Sequence, residues 1–109
     1  MPTTYKVLGQ SNPSATTLTT LYTVPSSTSS VVSTITVCNQ AASAATYRIA
    51  VSPAGATAEA KHYIVYGSTV AANDSTILTL GMTLATTDVV RVYSSSSTTS
   101  FVLFGSEIS

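Results

Sequence analysis

Few side chains in this sequence could take part in acid–base, nucleophilic or metal chemistry. A cysteine nucleophile would need Cys38 exposed beside His62, because the imidazole must stabilise the thiolate. Cys38 lies in the apolar segment Val31–Cys38, where we expect a buried and inert thiol. The titratable candidates are His62, Cys38, Glu59, Asp74, Asp88 and Glu107.

The other common catalytic patterns are also missing. No Gly-x-Ser-x-Gly segment marks a strained nucleophilic serine. One histidine and isolated carboxylates do not match the ligand sets of zinc or calcium sites. The five glycines stand apart from one another, so there is no phosphate-binding loop. We therefore expect neither an enzyme nor a bound cofactor, and we expect Asp74 and Asp88 to bind backbone amides at turns.

Tyrosine is the residue type that could instead form a contact surface. All six tyrosines lie in strand-like segments and there is no tryptophan. We expect most of them to pack in the core, since tyrosine suits a pleated strand. Tyr63 and Tyr66 are the candidates for a surface that contacts a glycan. Strict alternation would place Tyr63 with Val65 on one face, and His62, Ile64 and Tyr66 on the other.

The charge content is the most unusual feature of the composition. Only 7% of the 109 residues are charged and the formal net charge is +0, whereas 44% are hydrophobic. Ordinary soluble domains carry about 25% charged residues. Low net charge favours association, so we expect a homo-oligomer, with a monomer made soluble by its hydroxyl groups as the alternative. The four basic residues are scattered, which argues against nucleic-acid binding and against a basic membrane-surface helix.

The sequence also predicts where the protein is made. It opens without a charged segment followed by an apolar run, so we expect no signal peptide. No apolar stretch approaches the roughly 20 residues of a membrane helix. We expect synthesis in a cytoplasm without membrane insertion, after which the protein stays soluble or leaves by a route other than a signal peptide. Cys38 is the only cysteine, so we expect no intrachain disulfide.

Short strands separated by turn residues run along the whole chain. Ile35 and Val37 should share one face, with Thr34, Thr36 and Cys38 on the other. About eight short strands without an amphipathic helix predict an all-β fold, a single antiparallel β-sandwich of jelly-roll-like form over residues 1–109. The predicted strands are Tyr5–Gln10, Leu18–Val24, Val31–Asn39, Thr46–Ser52, His62–Gly67, Thr76–Leu80, Asp88–Ser94 and Phe101–Gly105.

Several of these strands resemble segments of small β-rich virion proteins of tailed phages. The resemblance lies in Leu21–Pro25, Val31–Asn39, Thr46–Val51 and Phe101–Gly105. It implies a structural component of a phage particle: a tail, baseplate or fibre-associated protein, or a capsid decoration protein. It also implies homo-oligomers, trimers among them, and contacts with other virion proteins.

Two functional hypotheses follow. The first is a virion structural protein that acts through complementary surfaces. The second is a carbohydrate-binding or receptor-binding β-sandwich module, whose contact surface is either the strand carrying Tyr63 and Tyr66 or the Ser/Thr-rich loops. The two overlap if the protein lies at a tail tip.

Overall fold

The computed structural model describes residues 3–109, apart from the side chain of Leu80. It is all-β, with eight antiparallel strands in two sheets, as the sequence predicts. Two short 3-10 turns, Pro53–Gly55 and Ala60–His62, lie between the fourth and fifth strands. The strands are β1 (Thr3–Ser11), β2 (Thr19–Thr23), β3 (Ser29–Asn39), β4 (Ala45–Ser52), β5 (Tyr63–Val70), β6 (Ser75–Leu84), β7 (Val89–Ser94) and β8 (Thr99–Ile108).

The strand order is that of a jelly roll. The first sheet has the order β1-β8-β3-β6 and the second has the order β2-β7-β4-β5. The pairs β1–β8, β2–β7, β3–β6 and β4–β5 are nested around the connection between β4 and β5. This arrangement is a long hairpin wrapped into a two-layer sandwich.

The core lies between the two sheets and consists of their inward-facing side chains. Ile35 and Val37 of β3 are fully buried while Thr34, Thr36 and Cys38 are half-buried on the outer face, as alternation predicts. The rings of Tyr47 and Phe101 meet edge to face across the core at 6.4 Å. Other fully buried side chains are Val24, Val32, Ile49, Val70, Val90, Val92 and Leu103.

Four turns that lead into strands place a non-glycine residue in the left-handed backbone region. Thr16, Ser27, Asn73 and Thr87 have φ between 53° and 67°, and each precedes a strand by two or three residues. Asp74 accepts a hydrogen bond from the Ser75 amide. Asp74 thus binds a backbone amide at a turn, as predicted.

Two predictions about buried residues are wrong. Cys38 lies on the outer face of the first sheet and is only half-buried, because it alternates with the buried Val37. Most tyrosines are also outside the core. Tyr22 and Tyr47 are buried, whereas Tyr5 is 84% exposed and Tyr66 is 65% exposed.

Candidate functional site

Tyr63 and Tyr66 lie side by side on the outer face of the second sheet. Tyr63 pairs with Ala50 and Tyr66 pairs with Arg48, so the register skips Ile64 between them. Arg48 and Ala50 are two residues apart on β4 and therefore point to the same side. The extra residue in β5 is a β-bulge, and it brings both tyrosines to one face.

This arrangement corrects the face assignment that alternation predicts. Tyr63 shares its face with Tyr66 and not with Val65, because the bulge breaks the period of two. A second irregularity follows at Gly67, whose φ is 80°. The tyrosine rings meet edge to face, with centroids 5.0 Å apart and planes at 87°.

Arg48 extends this surface across three strands. Its guanidinium carbon lies 4.1 Å from the ring centroid of Tyr66 and 4.3 Å from that of Tyr93. Arg48 pairs with Tyr66 on β5 and with Tyr93 on β7, so the three side chains form a row across the sheet. We call Arg48, Tyr63, Tyr66 and Tyr93 the arginine–tyrosine platform.

The guanidinium of Arg48 is held by aromatic rings and not by a carboxylate. Within residues 3–109 the one ion pair joins Lys6 and Glu107, which lie in the first sheet. Each cation–π contact at an exposed site stabilises by about 0.5–1 kcal/mol. The two contacts restrict the side-chain rotamers of Arg48, Tyr66 and Tyr93.

The loop between β4 and β5 lies beside the platform and is anchored by polar contacts. Nη1 of Arg91 donates to Oγ of Ser52 at 2.6 Å and to the carbonyl of Ala56 at 2.7 Å. Asp88 accepts from the amides of Ala54 and Ala85, both at 2.9 Å. Asp88 therefore binds backbone amides, as predicted, and one of them lies in this loop.

His62 has a structural role at the end of the same loop. It is buried, and its Nδ1 accepts a hydrogen bond from the Glu59 amide at 3.1 Å. The His62 amide donates to the Glu59 carbonyl at 3.0 Å. His62 lies beside the second sheet and Cys38 on the outer face of the first, so the structure does not bring them together as a nucleophile pair.

An open hollow of about 450 Å³ separates the loop from the two tyrosines of β5. Its lining includes two aromatic residues and one acidic residue. A second hollow of about 520 Å³ shares Glu59 with the first and includes Lys61, His62 and Ile64 in its lining. The first hollow is lined by Ala58, Glu59, Ala60, Tyr63 and Tyr66.

The outer face of the first sheet is a second surface of interest. Val7, Phe104, Thr34 and Thr79 form one row across its four strands. The next row consists of Gln10, Val102, Thr36 and Ile77. Ile77 is 67% exposed, and Tyr5, Val7, Val31 and Phe104 are exposed as well.

This outer face carries no charged side chain among the described residues of the four strands. Lys6 pairs with Gly105, and Gly105 pairs with the buried Val32, so Lys6 belongs to the inner side. Glu107 pairs with the buried Ser30 and also belongs to that side. We call this uncharged surface the neutral face, represented by Tyr5, Val7, Val31, Ile77, Val102 and Phe104.

The structure gives two further findings about sites. No group of three His, Cys, Asp or Glu residues in the described part of the chain is arranged to hold a metal ion. None of the helical segments in residues 3–109 has the length and apolar character needed to cross a membrane.

Comparison of the chain with protein-family models, with curated proteins and with solved structures gave no match.

Proposed function

We propose that this protein is a structural component of a tailed-phage virion that self-associates through the neutral face. The observation that carries the proposal is a four-stranded surface with exposed apolar side chains and no charge. Exposed apolar patches of this kind mark interaction surfaces in soluble proteins. The proposal of a phage particle rests on the resemblance of its strands to phage virion proteins. The protein would then belong to the tail, the baseplate, a fibre or the capsid surface.

The size of the neutral face suits contact with a second copy. The four strands are 9 to 11 residues long. At about 4.8 Å between strands and roughly 3.3 Å per residue, they give a footprint of roughly 600 Å². Two copies in contact through this face would bury roughly 1,200 Å², at the lower end of specific interfaces. Without charges, neither like-charge repulsion nor desolvation of ions opposes this contact.

Sedimentation of the purified chain tests self-association. We expect an oligomer in solution, and we expect Ile77→Lys to shift it toward the monomer by placing a charge in the contact. Ile64→Lys is the matched control, since Ile64 is also exposed but belongs to the second sheet. A monomeric wild type, or equal effects of the two variants, would refute association through the neutral face.

Immunogold labelling of phage particles whose genome encodes the chain tests the particle context. Label on the tail or its tip would indicate a tail component. Label spread over the head would indicate a capsid decoration protein. The absence of label from every particle would overturn the virion proposal.

A second candidate function is binding of a carbohydrate or receptor at the arginine–tyrosine platform. The bulge that brings Tyr63 and Tyr66 together beside a hollow is the observation that favours it. Tyrosine exposes an apolar ring and a hydroxyl group, a combination enriched at binding surfaces. A receptor-binding surface on one sheet and an assembly surface on the other are compatible in one subunit.

A further inference from the structure

The hollow beside Tyr63 and Tyr66 has the features of a small binding site. Its volume of about 450 Å³ lies in the range of small-molecule sites, which usually combine apolar walls with a few polar groups. Two tyrosine rings supply the apolar part. Glu59, the one acidic residue of the lining, lies on the loop beside them.

We propose that this hollow binds one unit of a neutral saccharide, a pyranose without a carboxylate, sulfate or phosphate group. The inference rests on the second candidate function and names its ligand class. The C–H groups on one side of a pyranose ring suit contact with a tyrosine ring, and weak C–H contacts with π systems add to apolar burial. The sugar hydroxyls donate to the Glu59 carboxylate, and such charge-assisted hydrogen bonds are the stronger kind.

Contacts within the protein hold both the tyrosine rings and the loop that form the hollow. Arg48 packs on Tyr66, and Tyr66 meets Tyr63 edge to face. Arg91 and Asp88 anchor the loop on the other side. Binding to a preformed site loses less conformational entropy, which favours affinity for a small ligand.

The charge of Glu59 selects for neutral ligands. An anionic sugar in this hollow would place its charge near the Glu59 carboxylate, and like charges across an interface oppose binding. Arg48 does not line the hollow, and it acts as a positioning residue for the rings. The site therefore favours a sugar with hydroxyl groups alone.

A matched pair of ligands tests the inference. Methyl β-glucoside and methyl β-glucuronide differ only at C6, where one has a hydroxymethyl group and the other has a carboxylate. Methyl β-galactoside and methyl β-galacturonide form a second pair. Saturation-transfer NMR and calorimetric titration of the full chain at neutral pH would measure binding of each, and we expect a neutral glycoside to bind at least about tenfold more tightly than its acid.

Two variants and one control test whether the glycoside binds in this hollow. We expect Tyr66→Ala and Glu59→Gln each to weaken binding of the neutral glycoside by about tenfold, since one loses ring contact and the other loses the charged acceptor. Tyr5→Ala is the control, because Tyr5 is an exposed tyrosine on the first sheet. Its affinity should match that of the wild type, and circular dichroism would verify the fold of all three.

Different outcomes would refute this saccharide site and carbohydrate binding in general. Tighter binding of the acids, or binding unaffected by Tyr66→Ala and Glu59→Gln, would overturn this site while leaving carbohydrate binding in place. Failure of all four glycosides and of a wider glycan panel would overturn both. Neither result affects the virion proposal, which immunogold labelling tests separately.

Discussion

The phenol oxygen of Tyr22 lies 2.6 Å from Oε2 of Glu107, and this hydrogen bond joins the two sheets at one end of the sandwich. The same phenol oxygen lies 2.7 Å from Oγ of the buried Ser30. The other carboxylate oxygen of Glu107 pairs with Nζ of Lys6 at 2.9 Å. Burial, followed by the neighbouring carboxylate, raises the pKa of Tyr22 to about 12.

The first prediction concerns the Tyr22 hydroxyl. Tyr22→Phe should lower the free energy of unfolding by about 1–3 kcal/mol, because buried Ser30 loses this partner and Glu107 retains only Lys6. Urea denaturation measures the loss. Tyr5→Phe, which removes an exposed hydroxyl, is the control and should change stability by less than about 0.5 kcal/mol. Equal small losses in both variants would mean that the Tyr22 hydrogen bond contributes little.

The second prediction concerns the pH dependence of stability. The Tyr22 hydrogen bond, and then Lys6, lower the pKa of Glu107 below its ordinary value. The folded state therefore binds this proton less readily than the unfolded chain, whose glutamates titrate near about 4.3. The stabilisation is complete above that pH and is lost as the pH falls through the folded pKa. The difference in unfolding free energy between wild type and Glu107→Gln should accordingly shrink from pH 7 to pH 3, and a constant difference would contradict this.

The third prediction concerns the core. Ile35→Ala, Ile49→Ala and Val92→Ala should each cost about 1–4 kcal/mol through loss of buried contacts and cavity formation. All three side chains are fully buried. Ile77→Ala on the neutral face should cost less than about 0.5 kcal/mol in the monomer. Chemical denaturation at low protein concentration compares the four, and similar values throughout would mean that the inward faces are assigned wrongly.

The fourth prediction concerns a close approach of two strands. A Cβ at Gly105 would overlap the backbone carbonyl oxygen of Val31, and backbone cannot move aside as a flexible side chain can. Gly105→Ala should therefore cost about 2 kcal/mol or more, or prevent folding. Gly81→Ala is the control, since a Cβ there has nothing within 4 Å. Thermal unfolding followed by circular dichroism would compare them, and an unchanged melting temperature for Gly105→Ala would show that β8 can shift.

The sequence predicted the eight strands because each is bounded by turn residues and alternates between apolar and polar positions. The predicted ends were less accurate where a strand continues through small residues. β6 extends past the predicted Leu80 to Leu84, and β8 extends past Gly105 to Ile108. Both extensions are hydrogen-bonded to β3. The local residue preferences do not predict this long-range pairing.

The candidate site was predictable in part. Tyr63 and Tyr66 stood out by residue type, but alternation placed them on opposite faces. The bulge at Ile64 depends on how β5 pairs with β4, which is a long-range property. Arg48 and Tyr93 belong to other strands, and only the pairing of β4 with β5 and β7 brings them to Tyr66. Nothing in the sequence marked Glu59 as part of the site, since a carboxylate in a loop is usually solvated.

The nesting of the strand pairs also has a kinetic consequence. Only β4 and β5 pair as sequence neighbours, while β1 must find β8 across almost the whole chain. Chains dominated by such distant pairings fold slowly, on a timescale of about milliseconds to seconds. The loop from Pro53 to His62 is thus the point about which the chain doubles back, and Glu59 lies within it. We expect a longer loop there to slow refolding measurably, so the segment that shapes the hollow also sets how quickly the sandwich forms.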